Sequence, residues 1–385
     1  MSLSNILRFW QVKLLLISFV LCMFAPVWIN DKPILGIDQQ GNWHFPVFEI
    51  SVVYQDTGKY AFAINPPVCY TPGKGDMANS GFKGPFHRQY VFDARGELTD
   101  IPVLKRHWFG TDLRGGDVLA YTVFGLRNSM VISILAIIIS LVIASFLGFA
   151  GGWYSSEAFV IGRTQLLVIL LWLLFAFHGL VNLYTLYDKY IFLLLITVCC
   201  ALVMFRLRKI EHQKTVNVRI DFFSDRLSEI FVSIPRMVLL MVMVQFVDKS
   251  ISSIALVIGL TGWVDLARLI RSETIRLKDQ PFIDAAMMNG VSRRRLFLKH
   301  IFPNIWPSVM VVSMYAFSGN IIMESSMSFF GMGLPPESPS VGTMLSEARS
   351  YYEYWWLFII PGFWLSMLIY ALFTLPGRFG RPTIN

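Results

Sequence analysis

Long stretches without any charged residue alternate with short polar stretches along most of the chain. Six stretches lack Asp, Glu, Lys and Arg altogether: 14–30, 128–156, 164–187, 190–205, 300–323 and 354–377. Two more stretches, 227–247 and 250–266, are apolar, and their few charges are Glu229, Arg236 and Asp265. Because a helix needs about 20 mostly apolar residues to cross a bilayer, the pattern predicts eight membrane spans.

These spans are predicted to be helices, because a helix satisfies its own backbone hydrogen bonds inside hydrocarbon. The short alternating segments of a transmembrane barrel are absent. Composition agrees, since 55% of the 385 residues are hydrophobic and only 15% are charged, whereas soluble proteins carry about 25% charged residues. We therefore predict an all-α polytopic membrane protein.

Basic residues set the predicted orientation, because loops kept in the cytoplasm are enriched in Lys and Arg. Eight of the 33 basic residues lie in one loop: Arg268, Arg271, Arg276, Lys278, Arg293, Arg294, Arg295 and Lys299. Placing this loop inside also places Arg8, Lys13, the basic stretch 206–219 and Arg378 inside. We predict that both termini are cytoplasmic. The net charge of +8 then reflects topology and partner docking, not nucleic-acid binding.

The chain divides into an N-terminal anchor helix (1–30), an extracytoplasmic segment (31–125), a transmembrane domain (126–380) and a short tail (381–385). The anchor follows basic residues as a signal peptide does, but it lacks a small-residue cleavage site before Trp28, which favours retention. The extracytoplasmic segment contains Gly, Pro and short aromatic or β-branched runs, which predict a small, partly β region.

Residues 279–304 form an inner loop whose punctuation predicts two short helices. Asp279 and Pro281 mark a helix start, and Gly290 marks its C-terminal turn. Ser292 is a second N-cap, and Pro303 is the next boundary. The first helix is too short to be stable alone in water, so we expect a neighbour to hold it.

The first of these helices has the features of a docking element. Ala285 and Ala286 allow another backbone to approach closely, while Phe282, Ile283 and Met287 supply apolar anchors for a groove. The run 293–295 of arginines stands at a helix start, where the macrodipole disfavours positive charge. An acidic partner or lipid phosphates would favour it, although these arginines are also explained by topology alone.

These residues resemble a known family. Asp284, Ala285, Ala286, Gly290 and the run 300–304 look like the EAA loop of inner-membrane permease subunits of binding-protein-dependent ABC importers. The run 110–119 resembles a segment that precedes the second span in the dipeptide and oligopeptide branch. Further similar runs lie at 233–235, 261–263, 324–334 and 339–342, and those at 30–33 and 43–46 resemble Yej-type members associated with oligopeptide and microcin C uptake.

The sequence departs from the family pattern at three places. Asp284 stands where the family usually has Glu, and Phe302 stands where it usually has Leu. Both replacements keep the chemical type. The third departure is an insertion at 155–221 that contains two of the predicted spans. The resemblance therefore implies a type I ABC importer permease fold, with a six-span family core plus two extra spans, in the bacterial cytoplasmic (inner) membrane.

The resemblance also implies roles and partners. The residues that it assigns to ATPase coupling are Asp284, Ala285, Ala286, Gly290, Arg293, Arg294, Ile301 and Pro303. The implied partners are a second homologous permease, two cytoplasmic ABC ATPases, an extracytoplasmic solute-binding protein and membrane lipid. The chain lacks a phosphate-binding loop of the Gly-x-x-x-x-Gly-Lys-Ser/Thr type, so no cofactor is expected in it, and ATP and Mg are expected in the ATPases. The implied activity is ATP-driven uptake of peptides or peptide-like solutes.

Two other classes of protein were weighed. A secondary transporter or channel would carry ionisable residues deep in its spans. The middles of the predicted spans are nearly free of such residues, which argues against this class. Glu229 and Arg236 are among the few exceptions, and they either pair across two helical turns or face an interface, as we favour. A membrane enzyme would need a nucleophile, a base or metal ligands at one depth. Ser325, Ser326 and Ser328 adjoin Glu324, but small hydroxyl residues also serve helix packing, and no catalytic or metal-ligand set is visible.

Overall fold

A computed structural model of the protein describes residues 10–48, 60–92, 97–100, 106–155, 158–162, 168, 171–172, 196–200 and 215–376. The principal helices are α1 (Trp10–Met23), α2 (Ala25–Trp28), α3 (Val118–Trp153), α4 (Ile220–Ser233), α5 (Arg236–Val244), α6 (Ile251–Thr261), α7 (Val264–Lys278), α8 (Pro281–Met288), α9 (Arg293–Leu296), α10 (Phe302–Phe329), α11 (Val341–Ser350) and α12 (Trp356–Thr374). A π-helical turn, Phe297–Ile301, joins α9 to α10.

Short strands lie between α2 and α3, in the segment 31–125 that we predict to be extracytoplasmic. They are β1 (Leu35–Asp38), β2 (Trp43–His44), β3 (Tyr60–Ile64), β4 (Tyr90–Phe92) and β5 (Leu98–Asp100). Strand β1 lies between β2 and β3, antiparallel to both, with Gly36 opposite His44 and Ile37 opposite Phe62. Strands β4 and β5 form a separate antiparallel pair. The prediction of a small, partly β segment is thereby confirmed.

Part of the predicted set of spans falls within the described residues. There, three helices are long and apolar enough to cross a membrane: α3, the continuous helix from α9 through α10, and α12. Two bent pairs bring the number to five if each is one span, namely α4 with α5, at 87°, and α6 with α7, at 46°. The predicted spans 164–187 and 190–205 lie largely outside the described residues, and helix α1 has 14 residues.

Helix α3 lies at the centre of the bundle, and its small residues allow close packing. A side chain on Gly148 would approach the Ala267 carbonyl oxygen to 2.6 Å, and one on Gly152 would approach the Arg271 carbonyl oxygen to 2.8 Å. On another face of α3, a side chain on Gly259 of α6 would approach the Ala136 carbonyl oxygen to 2.9 Å. Such contacts between small residues are how helices associate where lipid removes the hydrophobic drive.

The two ends of the insertion after α3 lie side by side. Its flanks form β6 (Ala158–Gly162) and β7 (Thr215–Arg219), which pair antiparallel over five residues. The sequence pattern did not predict these strands. The pairing brings the start and the end of the insertion side by side, while most of its interior is outside the described residues.

One expectation about the inner loop is wrong. Pro303 does not end a helix, since residues Arg293–Phe329 form one helix of 37 residues. The π-helical turn precedes Pro303, which then occupies the first turn of α10, where a missing backbone N–H is tolerated. The basic segment with Arg268, Arg271 and Arg276, for which the sequence predicted no particular secondary structure, belongs to α7, which ends at Lys278.

Candidate functional site at the inner end of the bundle

Helix α8 is a rigid element of eight residues with a defined start and end. Pro281 occupies its first turn, where its fixed φ fits the helix. At the other end the Val291 N–H donates to the Ala286 carbonyl at 3.2 Å, and the Gly290 N–H donates to the Met287 carbonyl at 2.9 Å. These two bonds form a Schellman motif. The motif requires the positive φ of +72° that Gly290 adopts, so the predicted C-terminal turn is confirmed.

One face of α8 is buried in the core of this chain. Ile283 is fully buried and Ala286 nearly so, three residues apart on the same side of the helix. They belong to the apolar cluster that contains Leu277, Leu296 and Ile301. The neighbour expected to hold this short helix is therefore the bundle itself. Ile283, predicted to anchor a partner groove, serves the core instead.

The opposite face of α8 is exposed and largely apolar. Phe282 and Met287 are each 42% exposed, and Met288 is 90% exposed. Asp284 and Ala285 are exposed between them. In the described part of the chain the Asp284 carboxylate has neither an ion pair nor a hydrogen bond. The geometry thus presents apolar side chains around a single negative charge.

The arginines that follow are exposed at the start of α9. Arg293 donates a 2.7 Å hydrogen bond to the Tyr154 hydroxyl, and its guanidinium lies 5.0 Å from the centre of that ring. Arg293 therefore has a partner within the chain, next to the inner end of α3. Arg294 is exposed, as is Pro303, whereas Ile301 is buried against the same cluster as Ile283.

Helix α8 is tied to the spanning helices on both sides. Before it, Lys278 Nζ donates to the Trp153 carbonyl at 2.8 Å, at the C-terminal end of α3. Arg271 of α7 pairs with Asp225 of α4. After it, the π-helical turn continues without a break into α10. Helix α8 and its flanking residues are therefore linked by contacts or by continuous helix to α3, α7 and α10. Among the described residues, no group of three or more His, Cys, Asp or Glu could hold a metal ion.

Sequence reasoning missed a buried carboxyl group at the far end of α10. Glu324 is fully buried, and it accepts hydrogen bonds from Ser328 at 2.8 Å and Ser340 at 3.0 Å, with Ser129 on its other oxygen. Ser325 lies at 3.5 Å. These contacts join α10 to α3 and to the N-cap of α11. The serines next to Glu324 thus serve helix packing, one of the alternatives weighed above.

A second polar cluster joins the extracytoplasmic segment to α3. His107 is fully buried, with Nδ1 at 2.9 Å from Asp117 and Nε2 at 3.3 Å from Asp76. Burial alone lowers the pKa of His107, but hydrogen bonds to Asp117 and Asp76 outweigh it and raise that pKa. Likewise, burial raises the pKa of Asp76, yet the hydrogen bonds from His107 and Asn79 leave it lowered. Asp117 also caps α3 through the Ala120 N–H at 2.7 Å.

Glu229 and Arg236 do not pair with each other. Glu229 is bonded to Arg226 on its own helix. Arg236 instead donates to Asn320 at 2.9 Å, across to α10. No local spacing could have signalled this contact, because Asn320 lies 84 residues further along the chain.

Comparison with known proteins places residues 214–379 in a family described as the binding-protein-dependent transport system inner membrane component. This region contains α4–α12, and therefore α8 with its exposed face.

Three curated relatives extend the likeness towards the N-terminus. The oligopeptide transport system permease protein OppC of Haemophilus influenzae is 28% identical over 266 residues, which cover 69% of this chain and 66% of the relative. The inner membrane ABC transporter permease protein YejE of Escherichia coli is 22% identical over 94% of this chain and 89% of its own. The dipeptide transport system permease protein DppC of Lactococcus lactis is 25% identical over 84% and 78%.

Proposed function

The chain belongs to the family of binding-protein-dependent inner membrane transport components, the permeases of ABC importers, and on this premise we propose that α8 is the element through which ATPase subunits drive transport. Such a chain is a membrane transport component and not itself an enzyme. The cargo proposed is a peptide or peptide-like solute, since the relatives are named for oligopeptides and dipeptides.

The exposed face of α8 carries this proposal. An apolar surface formed by Phe282, Met287 and Met288 around Asp284 is costly to leave in water, and a short helix that inserts into a groove is a recurrent docking mode. Its other face is fixed to the bundle by Ile283. A partner that moves the exposed face therefore moves α3 and α10 with it, because α8 is packed against the bundle.

We propose the partners that follow from this arrangement: two cytoplasmic ATPase subunits on the α8 side, a second homologous permease, and an extracytoplasmic solute-binding protein on the side of residues 31–125. Membrane lipid surrounds the assembly. ATP and Mg would be bound by the ATPases. The proposed topology keeps both termini and α8 in the cytoplasm, with Arg294 and the neighbouring basic residues on the same side.

Charge reversal at Asp284 tests the docking. In the complete transporter reconstituted in vesicles, Asp284→Lys should lower ATP-driven peptide uptake about tenfold. The substitution places a positive charge against the ATPase groove, which that groove either repels or leaves unpaired. Insertion and denaturation temperature should stay unchanged, since the side chain is exposed. ATP hydrolysis should persist, so that less peptide is taken up for each ATP hydrolysed.

Asp279→Lys is the matched control, because it makes the same charge change in the same loop at an exposed residue outside α8. Equal loss of uptake in the two variants would show that only the net charge of the loop matters. Uptake that needs a proton gradient and proceeds without ATP would instead support the secondary-transporter alternative.

A further inference from the structure

Arg236 is a charged residue held inside the bundle by neutral groups. Its Nη2 donates to Asn320 Oδ1 at 2.9 Å and to the Ile258 carbonyl at 3.2 Å, and its Nε lies 3.5 Å from Thr261 Oγ1. Asn320 is almost fully buried. These contacts fix the guanidinium between α6 and α10 and use one edge of it.

Arg236 lies directly after the break between α4 and α5, two helices that together are long and apolar enough for one broken span. Helices α4 and α5 meet at 87°, and the residues between them, Ile234 and Pro235, are exposed together with Ser233. On its inner side the guanidinium packs against Gly262, beside Ser140 in the central part of α3. In transporters, broken helices near the middle of the membrane commonly form the solute site.

Within the described residues Arg236 has no ion pair, although the exposed carboxylate of Asp265 lies near enough to act on its charge. No carboxylate there lies within ion-pair distance of it, whereas Arg226, Arg271 and Arg276 each pair with an acidic residue. Its Nη1 has no hydrogen-bond acceptor in the same part of the chain. An unpaired charge at this depth is costly, and such residues face a water-filled path or bind a ligand.

We propose that Nη1 of Arg236 binds a carboxylate of the transported solute during its passage, which for a peptide is the C-terminal carboxylate. This inference rests on the proposed transport function. The contact is a single charge-assisted hydrogen bond, because Nη2 and Nε are engaged by Asn320, Ile258 and Thr261. Arg236 thereby selects for an acidic group without contacting the rest of the peptide.

The test compares trialanine with its C-terminal amide, using the complete transporter in vesicles with an unchanged binding protein. Arg236→Gln should lower uptake of trialanine about tenfold relative to the wild type, and uptake of the amide less than twofold. The ratio of variant to wild type cancels the preference of the binding protein. Arg226→Gln, which removes an exposed arginine on the adjoining helix, should change neither rate.

A second variant separates binding from packing. Asn320→Asp places a carboxylate next to Nη2, which neutralises Arg236 while holding it more firmly. Carboxylate binding predicts that trialanine uptake also falls about tenfold here. A purely structural role predicts no loss, so unchanged uptake by this variant would overturn the proposal.

Two further outcomes would overturn the proposal. Arg236→Gln lowering uptake of both peptides equally would show that the residue supports the fold alone. Loss of the second permease on purification of Arg236→Gln would show that the charge pairs with an acidic residue of that subunit. Failure of the wild-type transporter to take up either peptide with ATP would instead contradict the proposed function itself.

Discussion

The two ends of the bundle differ in how far the chain satisfies its own side chains. At the outer end, Glu324 is buried and accepts hydrogen bonds from serines of three elements, and His107 lies between two carboxylates. At the inner end, Asp284 and Met288 stand exposed on a helix whose opposite face is well packed. The outer end is completed by this chain, whereas the inner end leaves an exposed apolar face, which we propose that another protein covers.

The difference also appears in backbone packing. At the outer end Gly342 of α11 fits against α10 so closely that a Cβ atom would approach the Ser325 carbonyl oxygen to 2.0 Å. At the inner end Gly290 has open space around it and is required for its positive φ alone. Glycine therefore provides close contact at one end and a sharp turn at the other.

The largest expected effect breaks the outer end. Gly342→Ala should destabilise the protein by about 3 kcal/mol, because the added methyl group forces α11 away from α10 and disturbs the bonds to Glu324. Gly319→Ala, in open space on α10, should stabilise the protein, since Ala favours the helix. Thermal denaturation of the purified protein in detergent measures both. Similar values for the two variants would show that the outer contact is loose.

A smaller effect concerns the charged cluster around His107. Because the pKa of His107 is raised, its stabilisation is complete below pH about 6.5 and is lost as the pH rises through the raised pKa. Because the pKa of Asp76 is lowered, its stabilisation is lost only as the pH falls through the lowered value. Both contributions are complete between about pH 4 and about pH 6.5, the ordinary pKa values of Asp and His, so this segment should be most stable in that range.

His107→Gln should lower the free energy of unfolding of this segment by about 2 kcal/mol near neutral pH, because two charge-assisted hydrogen bonds disappear. It should also abolish the loss of stability at alkaline pH. Amide hydrogen exchange of residues 106–117, corrected for the intrinsic effect of pH, follows both changes. The control is His87→Gln, since the His87 ring accepts from the Gly84 N–H in the same segment. An alkaline loss that survives in His107→Gln would assign it to another group.

Local chemistry explains which features the sequence could predict. Pro281 and Gly290 mark a helix and its C-terminal turn through their own backbone preferences. The sequence therefore predicts both the start of α8 and the turn that follows it. The boundary predicted at Pro303 failed because that prediction rested on the backbone preference of proline alone. The π-helical turn before Pro303 lets the helix continue. Predictions from one residue type succeed where neighbours along the chain decide the structure.

The polar clusters could not be predicted, because their members meet only in the folded chain. Ser129 lies 195 residues before Glu324, and Asp76 lies 31 residues before His107. A sequence pattern shows that Glu324 follows an apolar run, but it cannot show which hydroxyl groups surround it. The exposed face of α8 was predicted in part, since Phe282 and Met287 are exposed whereas Ile283 is buried.

The smallest expected effect on stability distinguishes the two ends most directly. Met288→Ala should change the free energy of unfolding by less than about 0.5 kcal/mol, because the side chain is 90% exposed. It should nevertheless lower ATP-driven uptake by the complete transporter, since the partner groove loses an apolar anchor.

Met77→Ala is the matched control, because Met77 is 86% exposed and lies in the extracytoplasmic segment, away from the proposed ATPase contact. If both substitutions lowered the coupling of ATP hydrolysis to uptake equally, exposure at the inner end would carry no special role. A selective effect of Met288→Ala would show that the inner end is the one that another protein completes.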